Sequence, residues 1–384
     1  MNRMRTRIAA FIVSVLFLIL SGCASGTGSA SVPEGPVWST LQPAGTVPLS
    51  YATQFSITDY DGGYRLIEIE TGGRFLLVGE DQPVPRELDG DITVLKTPLD
   101  RIYLAATSAM DFFRALDRIG CIRLSGSNAK DWYIEEARLA MEKGDLLFAG
   151  KYSTPDYELI FSEQCDLAIE STMIYHTPKI KEQLEKLGVP VLVERSSYEE
   201  DPLGRMEWIK VYGALLGESE KASELFDLEV REVEPLLDQQ KTGKKVAFFY
   251  ITTTGTVNVR KTGDYVARMI ALAGGEYVFS DLDSGRALST VNMTMESFYD
   301  GAKDADILIY NSTIDSELYS MDDLIRKNGL LADFKAVKNG DVWCTGKNLF
   351  QEPTGLGKLI AEMHRVFTDD VPASGEMEYL HKLT

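Results

Sequence analysis

Histidine is almost absent: His176, His364 and His381 are the only three in 384 residues, and they fall on different predicted elements. A protein-built zinc or manganese centre needs several imidazole and carboxylate ligands brought together. No metal-ion site is therefore expected. Cysteine is nearly as sparse, at four, with no C-x-x-C pair to support zinc-ribbon or thioredoxin-like chemistry. Cys121, Cys165 and Cys344 each sit in or beside an apolar run and read as buried thiols. Catalytic signatures are missing as well. There is no G-x-S-x-G, no H-E-x-x-H and no G-x-G-x-x-G, and Gly357-Lys358 lacks the glycine five positions earlier that a phosphate loop requires. Basic residues are outnumbered, 39 Lys and Arg against 58 Asp and Glu, for a formal charge of −19. A surplus of that sign argues against nucleic acid as a partner. These gaps point away from an enzyme. Two readings outside solute binding stay open: a secreted glycosidase working through a carboxylate pair, since acids are abundant enough to pair by chance, and a cell-surface scaffold.

What is present begins at the amino terminus. Arg3, Arg5 and Arg7 precede an apolar run, Ile8 to Leu20, that is too short to span a bilayer comfortably. The run ends in Leu20-Ser21-Gly22-Cys23, which resembles the lipobox of bacterial lipoproteins. The resemblance implies a signal peptide over 1–22 and a diacylglycerol on the Cys23 thiol. The protein would then be exported and held at the outer face of the cytoplasmic membrane, or in the periplasm. Losing the three arginines would take the formal charge from −19 to −22. Residues 23–45, rich in Gly, Ser, Thr and Pro, read as a flexible tether.

Beyond the tether, residues 64–70 and 74–78 alternate around Gly72-Gly73 and predict a β-hairpin, with a third strand near Ile92 to Lys96. From Arg101 apolar runs alternate with helical patterns. Ile102–Ala106, Ile122–Leu124, Cys165–Ile169 and Val189–Val193 form one series of strands. Lys245–Tyr250, Ile307–Tyr310 and Asp341–Cys344 form a second. Apolar strands joined by helices make parallel sheets covered on both faces. Thr107-Ser108 is expected to cap a helix, and another is expected over Met206 to Leu216. Between the two series, Ser219 to Gln240 predicts one amphipathic helix, apolar at Ala222, Leu225, Phe226, Val230 and Val233. Ser219 is its expected N-cap, and Pro235 is a point where it ends or bends.

The expected architecture is α/β: two Rossmann-like lobes joined by one long helix, with an N-terminal β-hairpin extension. The boundaries are 46–217 for the first lobe, 218–241 for the helix and 242–384 for the second lobe. Ligands in open α/β sheets bind beyond the carboxyl ends of the strands. That places Thr107, Ser108, Thr172, Tyr175, Tyr198, Tyr250 and Asn311 as candidates for a cleft between the lobes. Arg260 and Arg286, in predicted loops, suit either an anionic ligand or neighbouring acids. Arg205 reads as a structural residue beside the hinge.

Three segments resemble the substrate-binding lipoproteins of ABC importers that capture ferric siderophores, haem or cobalamin. Tyr157-Glu158-Leu159-Ile160 through Cys165-Asp166-Leu167-Ala168-Ile169 is similar to a first-lobe segment of that family, with Cys165 in place of proline. Asp201-Pro202-Leu203-Gly204-Arg205-Met206-Glu207-Trp208-Ile209-Lys210 is similar to the segment after the crossing strand. Met293-Thr294-Met295-Glu296-Ser297-Phe298 through Ala305-Asp306-Ile307-Leu308-Ile309 is similar to the second-lobe counterpart, with Ala305 in place of proline. The resemblance spans roughly Pro98 to Phe367. It implies a monomeric receptor without a cofactor that delivers a small metal chelate to an ABC permease and its ATPase. A ferric siderophore is the first expectation, with cobalamin or haem as alternatives. The resemblance further implies that Glu158 and Glu296, one per lobe, dock on permease arginines, and that a single linking helix keeps lobe closure small.

The Cys23→Ser variant is expected to leave the membrane fraction and appear in the soluble exported fraction. Unchanged membrane association on fractionation would overturn the lipid anchor.

Overall fold

The computed structural model describes residues 34–237, 239, 241–282, 289–372 and 377–384. Cys23 and Arg286 lie outside the described residues, and with them the lipid-anchor expectation and one cleft candidate. Two compact units are distinguished. The smaller brings residues 34–40 beside 83–88, where the Trp38 N–H donates to the Arg86 carbonyl and the Arg86 N–H to the Pro36 carbonyl, each at 2.8 Å. The larger unit carries the sheets.

It opens with five strands: β1 (Pro43–Thr46), β2 (Phe55–Tyr60), β3 (Tyr64–Ile69), β4 (Gly73–Gly79) and β5 (Ile92–Thr97), hydrogen-bonded in that order. The expected hairpin is β3–β4, but it is the centre of a sheet and not a whole extension. β2 lies antiparallel to β3, and β5 runs parallel to β4. Phe55, Ile57, Ile67, Ile69, Phe75 and Leu77 alternate along their strands and turn one apolar face into the main core.

The first lobe is built on β6 (Ile102–Leu104), β7 (Ile122–Ser125), β8 (Leu147–Phe148), β9 (Leu167–Ser171) and β10 (Val191–Glu194). They form a parallel sheet in the order β10-β9-β6-β7-β8. Helices α1 (Met110–Ala115), α2 (Glu135–Lys143), α3 (Tyr157–Ser162) and α4 (Pro178–Lys186) are interspersed between them. Residues alternate between two cores, Ile102, Leu104, Leu167 and Ile169 facing one and Tyr103, Ala168, Val191 and Val193 the other. That two-sided burial is why these strands read as continuous apolar runs. Thr107 and Ser108 belong to a 3-10 turn, Thr107–Ala109, and neither caps α1 with its side chain.

Three helices follow β10: α5 (Pro202–Glu207), α6 (Ile209–Leu216) and the long α7 (Ser219–Leu237), which lies between the two strand series. The single helix expected over 206–216 is therefore two, and the first starts earlier because Asp201 caps it, accepting the Leu203 N–H at 2.9 Å. Every residue of α6 is buried. A Cβ on Gly213 would stand 2.5 Å from the Ala222 Cβ, so glycine there lets α6 and α7 cross closely. Ser219, the expected N-cap, is the first residue of α7, and its hydroxyl accepts from Arg65 Nη1 at 2.7 Å. Helix α7 continues past Pro235 to Leu237. The proline sits in the last turn, where few further backbone bonds remain to be lost.

The second lobe holds β11 (Lys245–Ile251), β12 (Val257–Arg260), β13 (Glu276–Tyr277), β14 (Thr290–Met293), β15 (Ile307–Tyr310), β16 (Val342–Thr345) and β17 (Leu380–Lys382). Their order is β14-β12-β11-β15-β16-β17, with β13 also beside β11. Helices α8 (Tyr265–Leu272), α9 (Met295–Ala302), α10 (Met321–Lys327), α11 (Lys335–Asn339) and α12 (Leu356–Phe367) complete it. This sheet is mixed, not wholly parallel: β12, β14 and β17 run antiparallel to their neighbours. The reversal after β11 is a tight turn, in which the Thr252 N–H donates to the Thr256 carbonyl at 2.8 Å.

Two buried carboxylates tie the N-terminal sheet to the joining helices. Glu207 has no exposed surface, and its oxygens accept the N–H groups of Ser50, Tyr51 and Ala52 at 2.8–3.1 Å. It also pairs with Lys210 Nζ at 2.7 Å, and Lys210 donates onward to the Pro48 carbonyl at 2.9 Å. Glu199 takes the N–H groups of Thr53 and Gln54 and the indole N–H of Trp208 at 2.9–3.1 Å. Removing one partner of such a buried pair leaves an uncompensated charge. Glu207→Ala is therefore expected to cost about 3–5 kcal/mol in denaturant unfolding. A loss below about 1 kcal/mol would show that the grip on residues 50–52 is dispensable.

Candidate functional site

Loops leaving the carboxyl ends of strands in the two lobes meet. Gln351, after β16, accepts the Tyr133 N–H at 2.8 Å and donates to the Asp131 carbonyl, after β7, at 2.8 Å. The Thr354 N–H and hydroxyl donate to Asp111 Oδ2 at 2.9 and 2.6 Å. Arg268 of α8 lies 3.7 Å from Asp201. The Arg205 guanidinium stacks 4.0 Å over the Tyr265 ring. These contacts tie the two lobes together, and the strand-end segments among them mark where a ligand cleft is expected.

The predicted cleft residues divide by environment. Tyr175 and Tyr198 stay open, at 42% and 43% exposure, and the Arg195 guanidinium lies 4.3 Å over the Tyr198 ring. Thr107, Ser108, Thr172 and Tyr250 are half-buried. Asn311 is buried, and its Oδ1 accepts from the Thr313 hydroxyl and N–H at 2.5 and 3.2 Å. Its Nδ2 has no partner among the described residues. Arg260 is not in a loop: it ends β12, is buried, lies 3.5 Å from Asp264, and has the rings of Phe248 and Phe350 at 5.7 and 5.4 Å. Among the described residues no group of three or more His, Cys, Asp or Glu is placed to hold a metal ion.

Sequence reasoning missed Gln351 and Thr354, which carry no motif, and also Glu170. Glu170 is the fourth residue of β9, has no exposed surface, and neither carboxylate oxygen finds a partner among the described residues. Burial disfavours its charged form and pushes its carboxyl up to about 8. The available signal was an acid inside an otherwise apolar strand.

Glu158 and Glu296 occupy matching places, one in each lobe. Each is exposed, and each is the second residue of its helix, α3 or α9. In each the residue before the helix caps it: Asp156 accepts the Leu159 N–H at 3.0 Å, and Thr294 the Ser297 N–H at 3.2 Å. The helix leads to an aspartate that holds the start of the neighbouring strand. Asp166 accepts the N–H groups of Asp100 and Arg101 at 3.0 and 3.2 Å, and Asp306 the Lys245 N–H at 2.8 Å. Glu158 lies eight residues before Asp166 and Glu296 ten before Asp306. The difference of two equals the extra length of α9, eight residues against six in α3. A first-turn carboxylate is favoured by the helix dipole, and its free oxygens suit a bidentate bond from arginine.

The sequence model of a family described as periplasmic binding protein matches residues 126–349, more than half of the chain. Two uncharacterized lipoproteins of Methanocaldococcus jannaschii are similar over most of the length. One is 26% identical over 367 residues, covering 87% of this chain and 85% of the relative. The other is 25% identical over 402 residues, covering 97% and 99%. The periplasmic haem-binding protein HutB of Vibrio cholerae has a similar fold, with a TM-score of 0.57 at 17% identity over 72% of this chain and 100% of that one. A protein of an ABC-type Fe3+-hydroxamate transport system from Saccharomonospora viridis gives 0.55 at 21% identity over 70% and 93%. At such identities the likeness is one of fold.

Glu170 makes stability depend on pH. Its native carboxyl titrates near 8, well above the ordinary value of about 4.3. Between those limits the native state holds a proton that the unfolded chain releases, so its contribution is full at low pH and declines as pH rises through about 8. The Glu170→Gln variant is expected to lose less stability than the parent between pH ~5 and ~9, by roughly 1–3 kcal/mol in urea unfolding. Parallel curves would show that Glu170 is ionised and solvated in the native state.

Proposed function

The chain belongs to the periplasmic binding protein family, and on that premise we propose that it is an extracytoplasmic, lipid-anchored receptor that binds an iron complex and passes it to an ABC permease with its ATPase. It is a binding protein and not an enzyme, as the family and fold indicate. The placement of Glu158 and Glu296 at matching helix starts, one in each lobe, carries the reading. Two exposed carboxylates, one per lobe, suit a membrane partner that must contact both lobes at once. The lipid anchor is supported by the lipobox-like Leu20-Ser21-Gly22-Cys23 and by the lipoprotein names of the two relatives.

The ligand we favour is a ferric siderophore, with haem or cobalamin as alternatives. The candidate cleft residues are mainly tyrosines, hydroxyls and an amide, a mixture that suits a large ligand with both apolar body and polar oxygens. Proteins of similar fold are described as binding haem, as serving Fe3+-hydroxamate transport, and as binding vitamin B12.

Two measurements test this. Absorbance titration with a ferric siderophore, haemin and cyanocobalamin is expected to show saturable binding of one of them, and binding of none would defeat the ligand class. Replacing Glu158 and Glu296 together by Arg is expected to abolish uptake in cells while affinity in solution stays within about twofold. Normal uptake by that variant would remove the docking assignment.

A further inference from the structure

The pattern Asn-x-Ser/Thr, with x other than proline, is the acceptor for N-linked glycans in exported chains. It occurs twice in the sequence, as Asn292-Met293-Thr294 and as Asn311-Ser312-Thr313. The fold separates the two. Asn311 is 1% exposed and Ser312 not at all, and the Thr313 hydroxyl and N–H turn onto Asn311 Oδ1 at 2.5 and 3.2 Å. A close-packed interior leaves no room for a saccharide on that side chain. Asn292, by contrast, is the exposed residue of β14, and Thr294 beyond it is exposed as well.

The Asn292 amide is also oriented. Its cross-strand partner Asn258, 8% exposed, donates from Nδ2 to Asn292 Oδ1 at 2.7 Å. That bond occupies the carbonyl oxygen and leaves Nδ2, the atom to which a glycan is joined, outside it. Thr294 Oγ1 accepts the Ser297 N–H at 3.2 Å, which holds the acceptor hydroxyl in place at the start of α9. β14 also ends the strand order that the described residues form in this sheet. An end strand presents backbone groups that can recruit another chain, and proteins cover or blunt such edges. A bulky, solubilising glycan is a cover of that kind.

Resting on the extracytoplasmic placement proposed above, we propose that Asn292 is an N-glycosylation site of the exported protein, at the edge of the second-lobe sheet. The donor is an oligosaccharide carried on a lipid phosphate. Asn292 Nδ2 bonds to the anomeric carbon as the C1–O bond to phosphate breaks. The lipid phosphate leaves with the electron pair, and the amide gives one proton to a base of the transferase. The product keeps the Oδ1 to which Asn258 donates.

The test takes the full-length protein from membranes of its own organism and maps its proteolytic peptides by mass spectrometry. Mapping keeps Asn292 apart from any lipid at Cys23. Protease treatment of intact spheroplasts reports export in the same preparation. The expected result is a saccharide mass shift on the peptide that carries Asn292 and none on the peptide that carries Asn311. Asn292→Gln and Thr294→Asp are expected to lose the shift, and Thr294→Ser to keep it. Aspartate retains a capping oxygen for α9, so loss of the shift in that variant is not loss of the fold. An exported protein with Asn292 bare overturns the site and leaves the receptor reading standing. A protein sheltered from protease, with Asn292 bare, overturns both. A shift on Asn311, or one that persists on Asn292 in Thr294→Asp, overturns the site as well.

Discussion

The Glu207 carboxylate, fully out of solvent, accepts three consecutive backbone amides from Ser50–Ala52 and the Lys210 ammonium. Charge-assisted bonds of this kind are worth making only when every lone pair is used, because a half-satisfied buried carboxylate is more costly than an apolar residue. Glu199 repeats the device on Thr53 and Gln54. Together they fix the entry to the N-terminal sheet against α5 and α6, and α6 is buried on all sides as a result. The helices that carry the chain from one lobe to the other are thus held in place by a segment far away in sequence.

That fixed junction sets what the lobes can do. α6 crosses α7 at Gly213, α7 reaches the second lobe without a break, and Gln351, Thr354 and Tyr265 close the gap from the other side. Contacts on several elements restrain hinge opening more than a pair of extended linkers would. Each glutamate is oriented by a capped helix whose far end is pinned, through Asp166 or Asp306, to the central strand of its lobe.

The elements that depend on local pattern were legible. Met295–Ala302 and Ile307–Tyr310 appear with the expected ends, and α7 begins at the expected Ser219. Among the strands that escaped notice are β12 and β14, Val257–Arg260 and Thr290–Met293. Their residues mix Thr, Asn and Arg with Val, and they exist because each pairs with the other, not because either has strong intrinsic preference. For the same reason Arg260 looked like a loop cation, while it is the buried end of a strand. In the N-terminal sheet β5 stands where a third strand was expected, and the unexpected members are β1 and β2, of which β2 pairs with β3 across a short turn.

From the residues alone came the expectation of export, the two α/β series, the helix between them and the glutamate in the first turn of one helix per lobe. These follow from periodicity, capping chemistry and composition, which act over a few residues at a time. Tertiary structure alone decided which donors and acceptors remain unsatisfied. Whether Glu170 has a partner depends on side chains that reach it from elements distant in sequence. Burial then sets the energy of that answer, because a low-dielectric interior magnifies both a made bond and a missing one.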